Sequence, residues 1–336
     1  MTRMSIASSL VVATVLACCG INSAQSKSSL DVQEVLKWFP ADTDAVIVSQ
    51  GPFPLSNLSE LADKMEHNEP AQTVLTDEQL TQYFEVPAMV PWARHSTTMS
   101  KRLTGERILF AVQGSRRNRE NRLEFCSIVI FERGSLSDRL LDSSAGPPLR
   151  PEDIDGHGFW VFSDATEDGR TALVVAQLRS NVLLIAENLN YLKSVWTRAH
   201  GKRDDMFLSE TLPQWRYVDT NAQFWGISRV RHSNSEKEPS SLDEEERFYG
   251  GLVGVTFSLN LSDRKLRMVI MSTEHDFYRQ FPKQPMAFED DEDVEGVSKE
   301  VREIEPGVVE SISYLKDQKS ALIMGREMAW FLFLGR

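Results

Sequence analysis

The sequence contains little cysteine. Of three cysteines in 336 residues, Cys18 and Cys19 lie close to the N-terminus, and only Cys126 lies in the body of the chain. One body cysteine excludes an internal disulfide framework. No stretch approaches the roughly eighteen apolar residues of a membrane-spanning helix. Basic residues are outnumbered, at 37 against 49 acidic ones, and the formal charge of −12 disfavours binding to nucleic acid.

Motifs for the common chemistries are also missing. The chain has no Gly-x-Ser-x-Gly elbow, no phosphate-binding Walker loop, no His-Glu-x-x-His helix and no Cys-x-x-Cys pair. Its six histidines are far apart, so no metal site and no cofactor are predicted. His157, in a glycine turn close to Asp155, is a candidate general base, and His275 is a second candidate. Turn residues are the alternative reading for both, and no catalytic set is assigned.

Residues 1–24 have the pattern of a secretory signal peptide. Arg3 supplies a short positive region, an apolar stretch follows it, and small residues come next. Two processing routes remain open. Val15-Leu-Ala-Cys18 resembles a bacterial lipobox, which would acylate Cys18, and cleavage after Ala24 would release a chain that starts at Gln25. Both routes predict an extracytoplasmic protein that is secreted, periplasmic or lipid-anchored.

The body reads as two related α+β units, at 29–205 and 206–336. Each unit is predicted to form an antiparallel sheet with helices packed on one face. The Asp219-Thr-Asn-Ala222 phrase echoes Asp42-Thr-Asp-Ala45, and both precede an apolar strand. Hairpin patterns follow at 108–131 and 252–271, the first with a long loop from Gly114 to Arg122. Two acidic segments, 233–247 and 284–302, are predicted to be mobile loops because they contain few apolar residues.

Four arginines cluster at the predicted tip of the first hairpin, namely Arg116, Arg117, Arg119 and Arg122. In an acidic chain such a cluster is suited to bind an anion, a polyanionic surface or the chain's own acidic loops, and a protein or polyanion is the partner that it would imply. A solvated hairpin tip that resists aggregation is the alternative. Cys126 lies within an apolar strand pattern, which favours a buried, unreactive thiol over a nucleophile.

The phrase Phe39-Pro-Ala-Asp-Thr43 and the strand-to-helix run 159–199 resemble exported bacterial proteins of unknown function, whose units open with Pro-Ala-Asp-Thr. In the second unit Tyr217 and Val218 replace the proline and the alanine. The resemblance covers about half of the chain; it implies a duplicated α+β scaffold and no catalytic residues.

The sequence therefore favours an exported, non-enzymatic binding or interaction protein whose ligand and partner are unknown. One alternative is an extracytoplasmic hydrolase with a site between the two units. The other is an envelope assembly partner that is tethered to the membrane through Cys18.

Overall fold

The computed structural model describes residues 30–54, 106–120, 123–132, 150–154, 157–163, 172–186, 188–201, 207–230, 251–260, 262–280 and 298–316. The predicted signal peptide, including Cys18, lies outside these ranges. So do Asp155, Arg122 and residues 233–247 and 284–297.

The described residues form one sheet of twelve strands. The strands are β1 (Ala45–Pro54), β2 (Arg107–Arg117), β3 (Leu123–Phe131), β4 (Arg150–Ile154), β5 (His157–Ser163), β6 (Ala172–Arg179), β7 (Val182–Ala186), β8 (Phe224–Arg229), β9 (Leu252–Asn260), β10 (Lys265–Ser272), β11 (Ser298–Glu305) and β12 (Val308–Tyr314). Their order is β11-β12-β10-β9-β8-β1-β2-β3-β7-β6-β5-β4, and every neighbouring pair is antiparallel. The fold is therefore sheet-rich.

Helices are few and short in the described ranges. They are α1 (Val32–Leu36), α2 (Leu189–Ala199), α3 (Leu208–Thr211), a 3-10 helix (Pro213–Tyr217) and α4 (Phe277–Gln280). Asp31 caps α1, because its carboxylate accepts a hydrogen bond from the Glu34 N–H at 2.7 Å. At the end of α2, Gly201 has a φ of 88°, a conformation that costs glycine little.

Two clusters of buried side chains cover opposite faces of the sheet. On one face, Phe39 and the inward residues of α2 pack with alternate residues of β1 to β3 and β6 to β8. On the other face, Ile47 and Phe224 belong to a cluster with residues of β9, β10 and β12 and with Phe277 of α4. Helices α1 and α2 of the first predicted unit contribute to the first cluster, whereas α3 and α4 of the second unit contribute to opposite faces, so one-sided helix packing does not hold for the second unit.

Strands β1 and β8 join the two halves of the chain. Ala45 to Ser49 pair with Ser228 to Phe224, and the ladder is extended by Arg229 N–H to the Asp44 carbonyl and Gln50 N–H to the Gln223 carbonyl, both at 2.7 Å. The two predicted units therefore share a continuous sheet rather than forming a separate sheet each.

Two details of the sequence prediction are corrected. The loop assigned to Gly114–Arg122 is shorter, because β2 continues to Arg117 and pairs Arg116 with Glu124 of β3. The acidic loop assigned to 284–302 also ends earlier, because Ser298 begins β11. Pairing with β12 stabilises this strand although it has only two large apolar residues, Val301 and Ile304.

Candidate functional site

A row of alternating charge crosses three strands near one edge of the sheet. Glu310 of β12 accepts a hydrogen bond from Arg267 Nε of β10 at 2.6 Å, and Arg302 of β11 forms an ion pair with its other oxygen. The Glu310 side chain is only 2% exposed, whereas that of Arg302 is 71% exposed. We call Arg267, Glu310 and Arg302 the charge row; it leads from the interior to the outermost strand.

The charge row keeps Glu310 ionised. Desolvation alone would raise the pKa of this carboxyl, but hydrogen bonds and charges from Arg267 and Arg302 outweigh it and hold the pKa below its usual range. A carboxylate that is stabilised in this way is a poor proton donor near neutral pH. The arrangement therefore supports a structural ion network rather than general acid catalysis.

The 3-10 helix is tied to the same region. Arg267 Nη1 donates to the Tyr217 carbonyl, and the Tyr217 hydroxyl donates to Glu305 of β11. Arg216 Nη2 lies 2.7 Å from the Glu305 carboxylate, and its guanidinium lies 4.7 Å from the Tyr217 ring centroid. These contacts fix β11 against the segment that precedes β8.

Strand β11 presents the outer end of the charge row. It is one of the two edge strands of the described sheet. Glu300, Arg302, Glu303 and Ile304 on it are exposed, and Ile304 and Tyr314 are the exposed large apolar side chains of the described ranges. An edge strand has backbone N–H and C=O groups that no neighbouring strand satisfies, so this edge is the candidate interaction surface.

The predicted arginine cluster is largely used within the fold. Arg116 is 14% exposed and forms ion pairs at 3.0 Å with Asp42 and with Glu124. Its guanidinium also lies 4.4 Å from the ring centroid of Tyr191, whose hydroxyl is 3.0 Å from that of Thr43. These contacts tie the Pro-Ala-Asp-Thr phrase to the first hairpin and to α2.

The other arginines of that cluster have different roles. The Arg117 backbone N–H donates to the Asp44 carboxylate at 3.1 Å. Arg119 is exposed in the turn, and Arg122 lies outside the described residues. The sequence identified the position of these cations, but it did not reveal that Asp42, 74 residues before Arg116, would neutralise one of them.

The two candidate catalytic histidines are not brought together. His157 is the first residue of β5 and lies opposite Ile154, and His275 is exposed in the turn between β10 and α4. Strands β9, β8, β1, β2, β3, β7 and β6 lie between β10 and β5. A shared site for these two imidazoles is therefore not formed.

Cys126 is fully buried on β3, as its apolar surroundings predict. Burial strongly raises the pKa of the thiol, and the charge of Arg116 lowers it only partly. Because the thiolate is the nucleophilic form, this cysteine is unreactive in the folded chain.

The part of the chain that the structure describes contains neither a metal-binding cluster nor a membrane-spanning helix. There, no three histidine, cysteine, aspartate or glutamate residues group closely enough to hold a metal ion. The longest described helix has 11 residues, and none of the described helices could span a bilayer.

Comparison with known proteins gives a distant structural likeness. No family model and no curated protein matches the sequence. Crystal form I of TP0453 is similar at 9% identity and a TM-score of 0.42, covering 88% of this chain and 98% of that chain. Crystal form III gives 9% and 0.44 over 88% and 99%, and crystal form IV gives 10% and 0.43 over 91% and 99%.

Proposed function

We propose that this chain is an extracytoplasmic, non-catalytic binding or interaction protein. The observation that carries the proposal is that the buried charged side chains form ion pairs within the chain, whereas exposed charges lie on an edge strand. Glu310 and Arg116, the centres of the two charged clusters, are held in ion pairs within the chain. The exposed alternating charges lie on an edge strand of the described sheet, where a protein partner can reach both the side chains and the backbone groups that no described strand pairs.

The scaffold of this protein is proposed to be two related α+β units. The strand order β8-β9-β10-β12-β11 follows the same path as β1-β2-β3-β7-β6, running outward from the centre of the sheet. Asp219 follows Asp42 by 177 positions, and Trp225 follows Val48 by the same 177. Val48 and Trp225 are paired directly, which is where a two-fold axis relating such repeats would pass. These correspondences support duplication.

Export is the second part of the proposal, and it rests on the signal-peptide pattern of residues 1–24. The test is mass spectrometry of the mature N-terminus in fractionated native cells. We expect the chain outside the cytosol, beginning at lipid-modified Cys18 or at Gln25. A diacylglyceryl Cys18 would favour the envelope assembly partner, and Gln25 would favour a free protein. An intact chain that begins at Met1 in the cytosol would overturn the proposal.

A further inference from the structure

Strand β11 has a balanced charge pattern within an acidic chain. Residues 299–303 read Lys-Glu-Val-Arg-Glu, two cations and two anions around a central valine, whereas the whole chain carries −12. Two copies of the protein repel one another because of their net charge. At this edge the charges balance, so they add no net repulsion. The other edge strand, β4, contains Pro151, which has no N–H to offer a neighbouring strand.

Geometry limits how two β11 edges can pair. In an antiparallel ladder, alternate residues direct their backbone N–H and C=O groups to the same side. One set in β11 faces β12, and the other set faces away from β12, on the side where the described sheet ends. A symmetric pair must place outward-facing residues opposite outward-facing residues. The two-fold axis therefore passes midway between one residue of β11 and the same residue of the second copy. We call this an axis through that residue.

Charge selects one axis position within 299–303. An axis through Glu300 or Arg302 places like charges directly opposite each other, and so does an axis through Lys299 or Glu303. An axis through Val301 places Val301 opposite Val301, Glu300 opposite Arg302 and Lys299 opposite Glu303. Since the arrangement is symmetric, each of the two charge pairs occurs twice.

The same register continues the charge row. Arg302 lies opposite Glu310 on one side, and Glu300, two residues along the strand, shares its face of the sheet. With the axis at Val301, Glu300 of the second copy lies on the free side of Arg302. The row then alternates without interruption from Arg267 through Glu310 and Arg302 to the Glu300 carboxylate of the second copy.

Resting on the proposed role of this edge as an interaction surface, we propose that β11 binds a second copy of this chain, forming a two-fold dimer whose sheet continues from one molecule into the other. Charges on an edge strand commonly prevent pairing with another strand. In this dimer the charges on β11 instead select a second copy of the same strand. A single pair of edge strands buries little surface, so the dimer should dissociate on dilution in about the micromolar range.

The test is sedimentation of the purified full-length chain over a dilution series from about 1 to 100 µM, the range set by that expectation. We expect a dimer at the upper end that dissociates on dilution. Lys299→Glu alone, and Glu303→Lys alone, each create two like-charge pairs and should raise the dissociation constant about tenfold or more. The double variant Lys299→Glu/Glu303→Lys restores opposite charges and should restore the dimer.

Arg119→Glu is the matched control, because it reverses one cation in an exposed turn far from β11. It should leave the dissociation constant unchanged. A chain that stays monomeric at about 100 µM would overturn the proposal. So would a dimer that responds equally to Arg119→Glu and Lys299→Glu, or one that the double variant does not restore.

Cross-linking tests the register. In a Cys18→Ser/Cys19→Ser background, Val301→Cys places two thiols on the axis, within the Cα separation that a disulfide accepts. It should give a covalent dimer under mild oxidation. Ile304→Cys, on the same strand, lies about 20 Å from its own counterpart in this register and should not. Equal cross-linking at both positions would contradict the register.

Discussion

Replacing Glu310 with alanine is expected to destabilise the fold by about 3 kcal/mol, because it removes the anion from the charge row. The Glu310 carboxylate is almost fully buried between two guanidiniums, and Arg267 is itself only 25% exposed. Without Glu310, Arg267 would remain partly buried with an uncompensated charge. Urea unfolding of the purified chain at neutral pH measures the loss.

A matched control exists in the exposed pair Arg107–Glu132, whose side chains are 51% and 41% exposed. Glu132→Ala should cost less than about 1 kcal/mol, because water already screens that pair. Glu310→Leu combined with Arg267→Leu should recover part of the loss, since an apolar pair leaves no buried charge. Equal costs for Glu310→Ala and Glu132→Ala would show that the charge row contributes no more to stability than an exposed ion pair does.

The same carboxylate should make the free energy of unfolding depend on pH in the acidic range. The folded-state pKa of Glu310 is lowered, so its stabilising contribution is present above the ordinary glutamate pKa of about 4.3. It is lost as the pH falls from that value through the folded-state pKa. The Glu310→Gln variant has no proton to gain there, so its stability should fall less steeply over this range.

Replacing Gly114 with alanine is expected to destabilise the fold by about 2–3 kcal/mol through overpacking. A Cβ at this position would lie 2.4 and 2.5 Å from Phe39 ring carbons and 2.7 Å from the Tyr191 hydroxyl oxygen. Phe39 is fully buried, and Tyr191 is held between Thr43 and Arg116, so neither ring can move freely. Thermal and urea unfolding measure the effect.

A double-mutant cycle identifies the cause of that loss. Phe39→Leu shortens the side chain that the new methyl group would strike, at the cost of a small cavity. The double variant Phe39→Leu/Gly114→Ala should therefore be more stable than the sum of the two single effects predicts. Strict additivity, or a Gly114→Ala variant as stable as the parent, would mean that Gly114 is not in close contact with the two rings.

The core strands and the longest described helix could be predicted from the sequence, because their side chains are patterned by burial. The apolar runs of β1, β3 and β7 mark strands that are buried on both faces. Helix α2 has its apolar spacing and the glycine that ends it. These signals are local, so a single sequence contains them.

The edge strands β4 and β11 could not be predicted in the same way. Strand β4 has one large apolar residue, Ile154, and β11 has two, so neither shows the alternation of a half-buried strand. Their structure depends on pairing with β5 and β12. Backbone hydrogen bonds to a neighbouring strand do not depend on side-chain hydrophobicity, so the hydrophobic pattern does not reveal them.

The candidate site was missed for a related reason. Arg267 lies more than 30 residues before Arg302 and Glu310 in the sequence, and Arg302 falls at the end of the segment 284–302, whose composition predicts an acidic loop. Only strand pairing brings the three together. The signal that was available was the alternation of charge in 299–303, which suits a strand better than a disordered loop.

The proposal that this is a binding or interaction protein and not an enzyme can be tested by measuring turnover. The purified chain would be assayed against reporter esters, peptides and glycosides, beside His157→Ala and His275→Ala variants. We expect that neither substitution changes the turnover measured for the parent chain. Hydrolysis that one of these substitutions abolishes, with the urea unfolding midpoint unchanged, would contradict it.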